Sequence, residues 1–171
     1  MILPTYDKDK LLELLSKKNI SFKLHNHPAL FTVEDSEKNR GQINGMHSKN
    51  LFLKNKKNIF YLFSCHENQN IDLKKLAKSA NLGNISFANK DRLFDILGVK
   101  PGSVSPFGLL NDSLSAVNFF LDKKIYDADL INFHPLLNTS TITLKVADLI
   151  AILLENNKKV NVFDFDTYSI I

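Results

Sequence analysis

The sequence predicts a mixed α/β fold, of the α/β or α+β kind, around one substantial sheet. Three observations carry that expectation. Stretches with helical spacing of apolar residues are interleaved with short alternating or continuous apolar runs, and several of those runs are neighbours. There are 13 phenylalanines and no tryptophan, so the core is expected to be phenylalanine packed on aliphatic side chains. At 171 residues, with 44% apolar and 23% charged, the chain is composed like an ordinary globular protein and unlike a disordered one. A chain of this length buries enough surface to fold without staples. No internal repeat or low-complexity linker interrupts it, so residues 1–171 are read as a single domain.

The elements follow in order. Asp7 to Lys18 carries Leu11, Leu12, Leu14 and Leu15 at helical spacing, with Asp7 as N-cap. Ser21 to His25 alternates as a short strand, which His27-Pro28 breaks. Thr32 can cap a short helix over Val33 to Asn39, with Asp35 three residues on. Leu51 to Leu53 and Ile59 to Cys65 are strands, and the polar Lys54 to Asn58 forms the hairpin turn between them. Asp72 caps a helix through Ala80. Asn89 or Asp91 starts another, which Gly98 stops. Val117 to Leu121, Ile131 to Phe133 and Thr141 to Lys145 are strands. Val146 to Asn156 is a strongly apolar helix, and Val160 to Phe165 is a last strand.

Composition excludes several classes. The single cysteine, Cys65, cannot form an internal disulfide, which fits a reducing compartment. The first twelve residues lack a basic start followed by a long apolar run, and no stretch reaches about 18 apolar residues. A cytoplasmic protein without a membrane partner is expected. The net charge of +4 attracts polyanions. Only Arg40 and Arg92 among the 22 basic residues are arginine, however, and Lys, Asn and Ile are all abundant. Drift toward A/T-rich codons accounts for the basic balance equally well.

Three segments could carry chemistry. His47-Ser48-Lys49-Asn50 stands at the mouth of an apolar strand, where a lysine can hold a phosphate or ribose oxygen as a compact cation. The run Lys100 to Asp112 holds two prolines and two glycines, and its apolar residues, including Phe107 and Leu109, point it inward. Asn132 to Thr141 is a His-Pro turn followed by Asn and Thr residues that could present donors to a pocket. Other chemistries fail. His25-x-His27 and Cys65-His66 lack the second half of a zinc spacing, so no metal is expected. There is no phosphate-binding glycine loop and no nucleophile elbow. Cys65 sits inside an apolar strand and reads as a buried thiol.

Taken in order, these segments resemble the YbaK/ProX-like prolyl-tRNA editing family. The resemblance rests on His27-Pro28-Ala29-Leu30-Phe31-Thr32-Val33-Glu34, then Gly45-x-His47-Ser48-Lys49-Asn50-Leu51-Phe52-Leu53-Lys54. Asp72 to Ala77, Ser86-Phe87-Ala88, Leu97 to Leu109 and Phe133 to Thr141 continue it. Lys49-Asn50-Leu51-Phe52 resembles the branch acting on alanyl-tRNA(Pro). The resemblance implies a curved mixed sheet, or partial barrel, with flanking helices. It implies a deacylase that hydrolyses the ester of mischarged tRNA(Pro) in trans, with alanine the amino acid removed, by water attack assisted by the substrate's 2′-hydroxyl. It implies no cofactor and no metal. The partners would be mischarged tRNA(Pro) and prolyl-tRNA synthetase. By position, Lys49, Asn50 and His134 take the catalytic places, and His47, Gly108, Phe107, Leu109, Asn138 and Thr32 the substrate-binding ones. Gly108 and its neighbours would supply backbone contacts near the ester. Met46, Ser48 and Asn39-Arg40 depart from the pattern and bear on pocket size. Two other readings stand beside this one: an editor of another mischarged tRNA (cysteine or serine), and a non-catalytic relative that binds tRNA or synthetase.

Overall fold

A computed structural model describes residues 3–171 of the chain. Its elements run α1 (Lys8–Lys17), β1 (Phe22–Asn26), α2 (Val33–Asn39), β2 (Met46–Asn55), β3 (Phe60–His66), α3 (Leu73–Ser79), β4 (Ile85–Phe87) and α4 (Lys90–Leu97). A 3-10 turn (Pro106–Asn111), β5 (Val117–Asp122), α5 (Lys123–Tyr126), β6 (Leu130–Phe133), β7 (Ser140–Lys145), α6 (Val146–Glu155), β8 (Val160–Asp164) and β9 (Ser169–Ile170) follow.

The helix starts obey local chemistry. The side chains of Asp7, Thr32, Asp72 and Asn89 each accept a backbone N–H three residues on, satisfying a donor the helix cannot. Gly98 ends α4 at φ +68°, a conformation that favours glycine. The β2–β3 turn is tighter than the sequence predicts. Asn55 is the reason: its side-chain oxygen accepts from the N–H groups of Lys57 and Ile59. Its amide donates to the Leu82 carbonyl. With those bonds made, Asn55 stays in the strand instead of the loop. The N-terminal half of β2 also extends past the apolar run, because its backbone pairs with β3 from Ser48 onward.

The strands form one mixed, unclosed sheet in the order β1-β7-β6-β2-β3-β5-β8-β9, with β4 added beside β2. The β2–β6, β3–β5 and β5–β8 pairs are parallel and the others antiparallel. Each face carries its own core. Phe52, Leu62, Phe119 and Phe133 lie on one face, with Leu11 and Leu15 of α1, Leu93 and Leu97 of α4 and Leu149 of α6. Leu53, Phe63, Cys65, Phe120 and Phe163 lie on the other, against Leu76 of α3. Phe63 stacks on Phe120 at 4.6 Å and meets Phe163 edge-on.

One feature of the pairing creates a site. β3 accompanies β2 along most of its length. On β2's other side, β6 pairs only with Met46 and His47, and β4 only with Leu53 to Asn55. The sheet is therefore split beside Ser48 to Leu51. The register fixes what faces the split. The His47 carbonyl accepts from Glu67 N–H and Asn55 N–H donates to Ile59, so odd-numbered β2 residues bond toward β3. Even-numbered residues turn their backbone groups the other way, as the Phe52 carbonyl accepting from Ala88 N–H demonstrates. The N–H and C=O of Asn50 thus point into the split.

Candidate active site

A cleft of about 200 Å³ opens at this split, beneath α2. Lys49 and Asn50 enter it from β2, His134 from the turn after β6, Thr32 from the start of α2, and Gly102 and Val104 from the loop before the 3-10 turn. A recess of about 30 Å³ adjoins it, shared by Asn50 and His134 with Ser36, Arg40, His47 and Thr141.

Lys49 is half-buried opposite Cys65. Among the described residues no carboxylate lies within ion-pair distance of its ammonium. Glu67 lines the same cleft, but its charge is taken. Arg40 at the end of α2 grips it with two bonds, of 2.6 and 2.9 Å, and both side chains are nearly buried. Burial pushes the Glu67 carboxyl up, yet Arg40's hydrogen bonds and charge outweigh it and hold the group below the usual carboxylate range. Lys49 is left as the cleft's uncompensated cation.

Asn50 is oriented by Ser64, whose hydroxyl donates to the Asn50 side-chain oxygen at 2.5 Å. That bond fixes which end of the amide turns outward as donor. His134 is oriented by the Ser140 carbonyl, 2.8 Å from Nδ1. A carbonyl only accepts, so Nδ1 carries the proton and Nε2 is left as an acceptor. Burial lowers the His134 pKa, and the nearby His27 ring, 5.9 Å away, lowers it further against the opposing Ser140 bond. His27 is itself tied at both nitrogens, to the Pro28 carbonyl and the Thr141 hydroxyl.

The other predicted residues separate. Thr32 lines the cleft while capping α2. His47 lies in the recess and donates through Nε2 to the Ile43 carbonyl; burial, then Arg40's charge, lowers its pKa. Asn138 does not line the cleft but stands directly behind Leu30 and Gly102, which do. Its amide and backbone carbonyl both bond Leu30, clamping the His134 turn to the segment before α2. Phe107, Gly108 and Leu109 are core residues and do not reach the cleft. The Gly108 N–H is spent on the Ser105 carbonyl, so the expected backbone contact near an ester is not available there. Glycine is needed at 108 for packing, since a Cβ would stand 2.9 Å from Leu97 Cβ. The loop reaches the cleft six residues earlier, through Gly102. Sequence reading took in Gly102 only as part of the Lys100 to Asp112 loop, and it passed over Ser64 and the Arg40–Glu67 pair. Arg40's rarity in a lysine-rich chain was the available signal. Cys65 is buried, with its thiol pushed up to about 12 by desolvation.

Comparison with known proteins decides the family. The family model for the aminoacyl-tRNA editing domain matches residues 27–152, most of the chain. The chain belongs to the aminoacyl-tRNA editing domain family. The prolyl-tRNA editing protein ProX of Acetoanaerobium sticklandii is 34% identical over 150 residues, covering 87% of this chain and 92% of that protein. A human protein named for a prolyl-tRNA synthetase associated domain is 33% identical over 146 residues, covering 82% of this chain and 85% of its own. Among solved structures, a candidate trans-editing enzyme for prolyl-tRNA synthetase superimposes with a TM-score of 0.65 at 18% identity, over 91% of this chain and 95% of that one. An epitope-presenting scaffold superimposes at 0.67, also at 18% identity, over 90% and 93%. These two likenesses establish the fold. Among the described residues no helix is long and apolar enough to cross a membrane.

Proposed function

We propose that this editing domain is an aminoacyl-tRNA deacylase acting in trans on mischarged tRNA(Pro), with alanyl-tRNA(Pro) as its substrate. The observation that carries the reading is the convergence of an unpaired Lys49, an oriented Asn50 and an oriented His134 on one cleft at the sheet split. The names of the relatives, ProX and the synthetase-associated proteins, support the tRNA and make prolyl-tRNA synthetase a natural partner.

The chemistry asks little of the protein. An aminoacyl ester is already reactive, so orientation and a few donors supply most of what hydrolysis needs. Lys49 holds a phosphate or ribose oxygen of the terminal adenosine. The Asn50 amide and its backbone groups, turned into the split, hold the aminoacyl end. His134 Nε2 accepts a hydrogen bond from the substrate or the attacking water, which the 2′-hydroxyl activates. The recess supports alanine as the residue removed. At about 30 Å³ it is a small space beside Asn50 and His134, in keeping with a small side chain such as alanine's methyl. A synthetase pocket built for proline discriminates against the smaller alanine by only about 1–3 kcal/mol, and a second site that rejects proline by size completes the sieve.

The test is single-turnover deacylation of alanyl-tRNA(Pro). Lys49→Ala is expected to lose about a hundredfold in kcat/KM, the scale of one transition-state contact. Unchanged hydrolysis by that variant would remove Lys49 from the site.

A further inference from the structure

We propose that the RNA leaves the cleft along the α3 face of the sheet, where exposed Phe87 stacks a base of the single-stranded 3′ end and a groove carrying Lys74 and Lys78 holds the phosphates that follow. The proposal rests on the reading of the cleft as the site for a charged tRNA terminus.

Strand parity places these residues together. Lys49, Leu51 and Leu53 alternate onto one face of β2, and Leu51 and Leu53 pack into the core beneath α3. Phe87 of β4 is the cross-strand partner of Leu53, so its side chain rises from the same face. Ile85, two residues before it, packs into that core and also lines the groove beside α3. The groove, about 530 Å³, runs between α3 and β4. Lys49, Phe87 and the groove therefore follow one another on one side of the sheet. Lys49 and Leu53 are separated by about 13 Å at 3.3 Å per strand residue, a distance a short single-stranded tail covers.

The chemistry of the stretch fits RNA. Phe87 is 60% exposed, a large aromatic that the core does not use. Base–aromatic stacking takes any base. The groove is lined by Lys74 and Lys78, by Asn81 and Asn84, and by no carboxylate. Neither lysine has an ion-pair partner among the described residues, whereas Lys75, between them in sequence, lies 4.1 Å over the Tyr168 ring on the far side of α3. The nearest acid on α3, Asp72, is engaged as its cap. Unpaired cations beside amides form a surface for a polyanion, and an exposed aromatic between that surface and the cleft marks the path.

The experiment measures binding of uncharged tRNA(Pro), with and without its unpaired 3′ tail, to the full chain across a salt series. Phe87→Ala is expected to weaken binding of the tailed RNA roughly tenfold and to leave the tail-less RNA unaffected, with Phe87→Tyr retaining affinity. The double variant K74E/K78E is expected to weaken both RNAs and to lower the salt slope by about 2. A control, K23E/K145E, makes the same change in net charge at the β1–β7 end of the sheet, away from β4, and is expected to leave the slope of wild type. Equal losses from both charge reversals would reduce the effect to net charge and overturn the proposal, as would Phe87→Ala binding at wild-type strength. Loss of synthetase binding with RNA binding intact would overturn it in favour of a protein partner. Because uncharged RNA is used, the outcome is independent of hydrolysis; failure of wild type to deacylate any charged tRNA(Pro) would instead strike the functional reading.

Discussion

Arg40→Ala tests how the roof of the cleft is held. α2 buries no side chain of its own, so its attachment depends on what flanks it: the Asn138–Leu30 clamp before it and the Arg40–Glu67 pair after it. The two side chains are only 12% and 9% exposed, so the substitution leaves a carboxylate without its partner in a nearly dry place. Breaking a buried pair from one side costs about 3–5 kcal/mol. The thinly packed α2 can lift and let water reach Glu67, which sets the expected loss at the lower end, about 3 kcal/mol. For a chain of this length that lowers Tm by about 6–12 °C. The assay is urea and thermal unfolding of wild type, Arg40→Ala and the double variant R40M/E67L. The double variant is expected within about 1 kcal/mol of wild type, since replacing both charges removes the stranded one. A loss below about 0.5 kcal/mol for Arg40→Ala, or a double variant as unstable as the single, would refute the reasoning.

Two other outcomes follow from the same geometry. Gly108→Ala is expected to cost about 1–3 kcal/mol in a melting experiment, because the new methyl meets Leu97 at 2.9 Å in a filled core. A stable Gly108→Ala protein with reduced deacylation would return that residue to the site. The pH profile should reflect His134 and Glu67. His134 acts neutral and its pKa is lowered, so activity is expected flat through neutrality with its acid limb below the ordinary histidine value near 6.5. The Glu67 carboxyl is also held low, so the Arg40 latch is fully formed above its unfolded value and is lost as pH falls through its folded one. An acid limb at or above pH 6.5 would contradict the assignment of His134.

Much of the architecture was legible because its signals are local. Side chains at Asp7, Thr32, Asp72 and Asn89 announce helix starts through short-range bonds. The apolar runs of β3 and β5 announce buried strands. The hairpin turn was misjudged because Asn55 reads as a loop residue until Leu82 supplies it a partner from 27 positions away. β4 and the 3-10 turn were passed over because three strand residues and one tight turn carry too little periodicity. At the site, Lys49, Asn50 and His134 were singled out through the family resemblance, and all three line the cleft; composition alone reached only a mildly basic domain. The misplacement of Phe107, Gly108 and Leu109 has a plain cause. A glycine can be demanded by a ligand or by a neighbouring helix, and only the distance to Leu97 tells which. Arg40's rarity hinted at a special role, but its partner Glu67 was not legible, because charge partners far apart in sequence leave no pattern.

The central claim is that this cleft removes alanine from tRNA(Pro) and spares proline. The most direct measurement is a deacylation panel with the purified protein and tRNA(Pro) charged in turn with alanine, cysteine, serine and proline. Rapid hydrolysis of the alanyl ester is expected, and none of the prolyl ester above the spontaneous rate. Faster hydrolysis of the cysteinyl or seryl ester than of the alanyl ester, or of the prolyl ester by wild type, would contradict it.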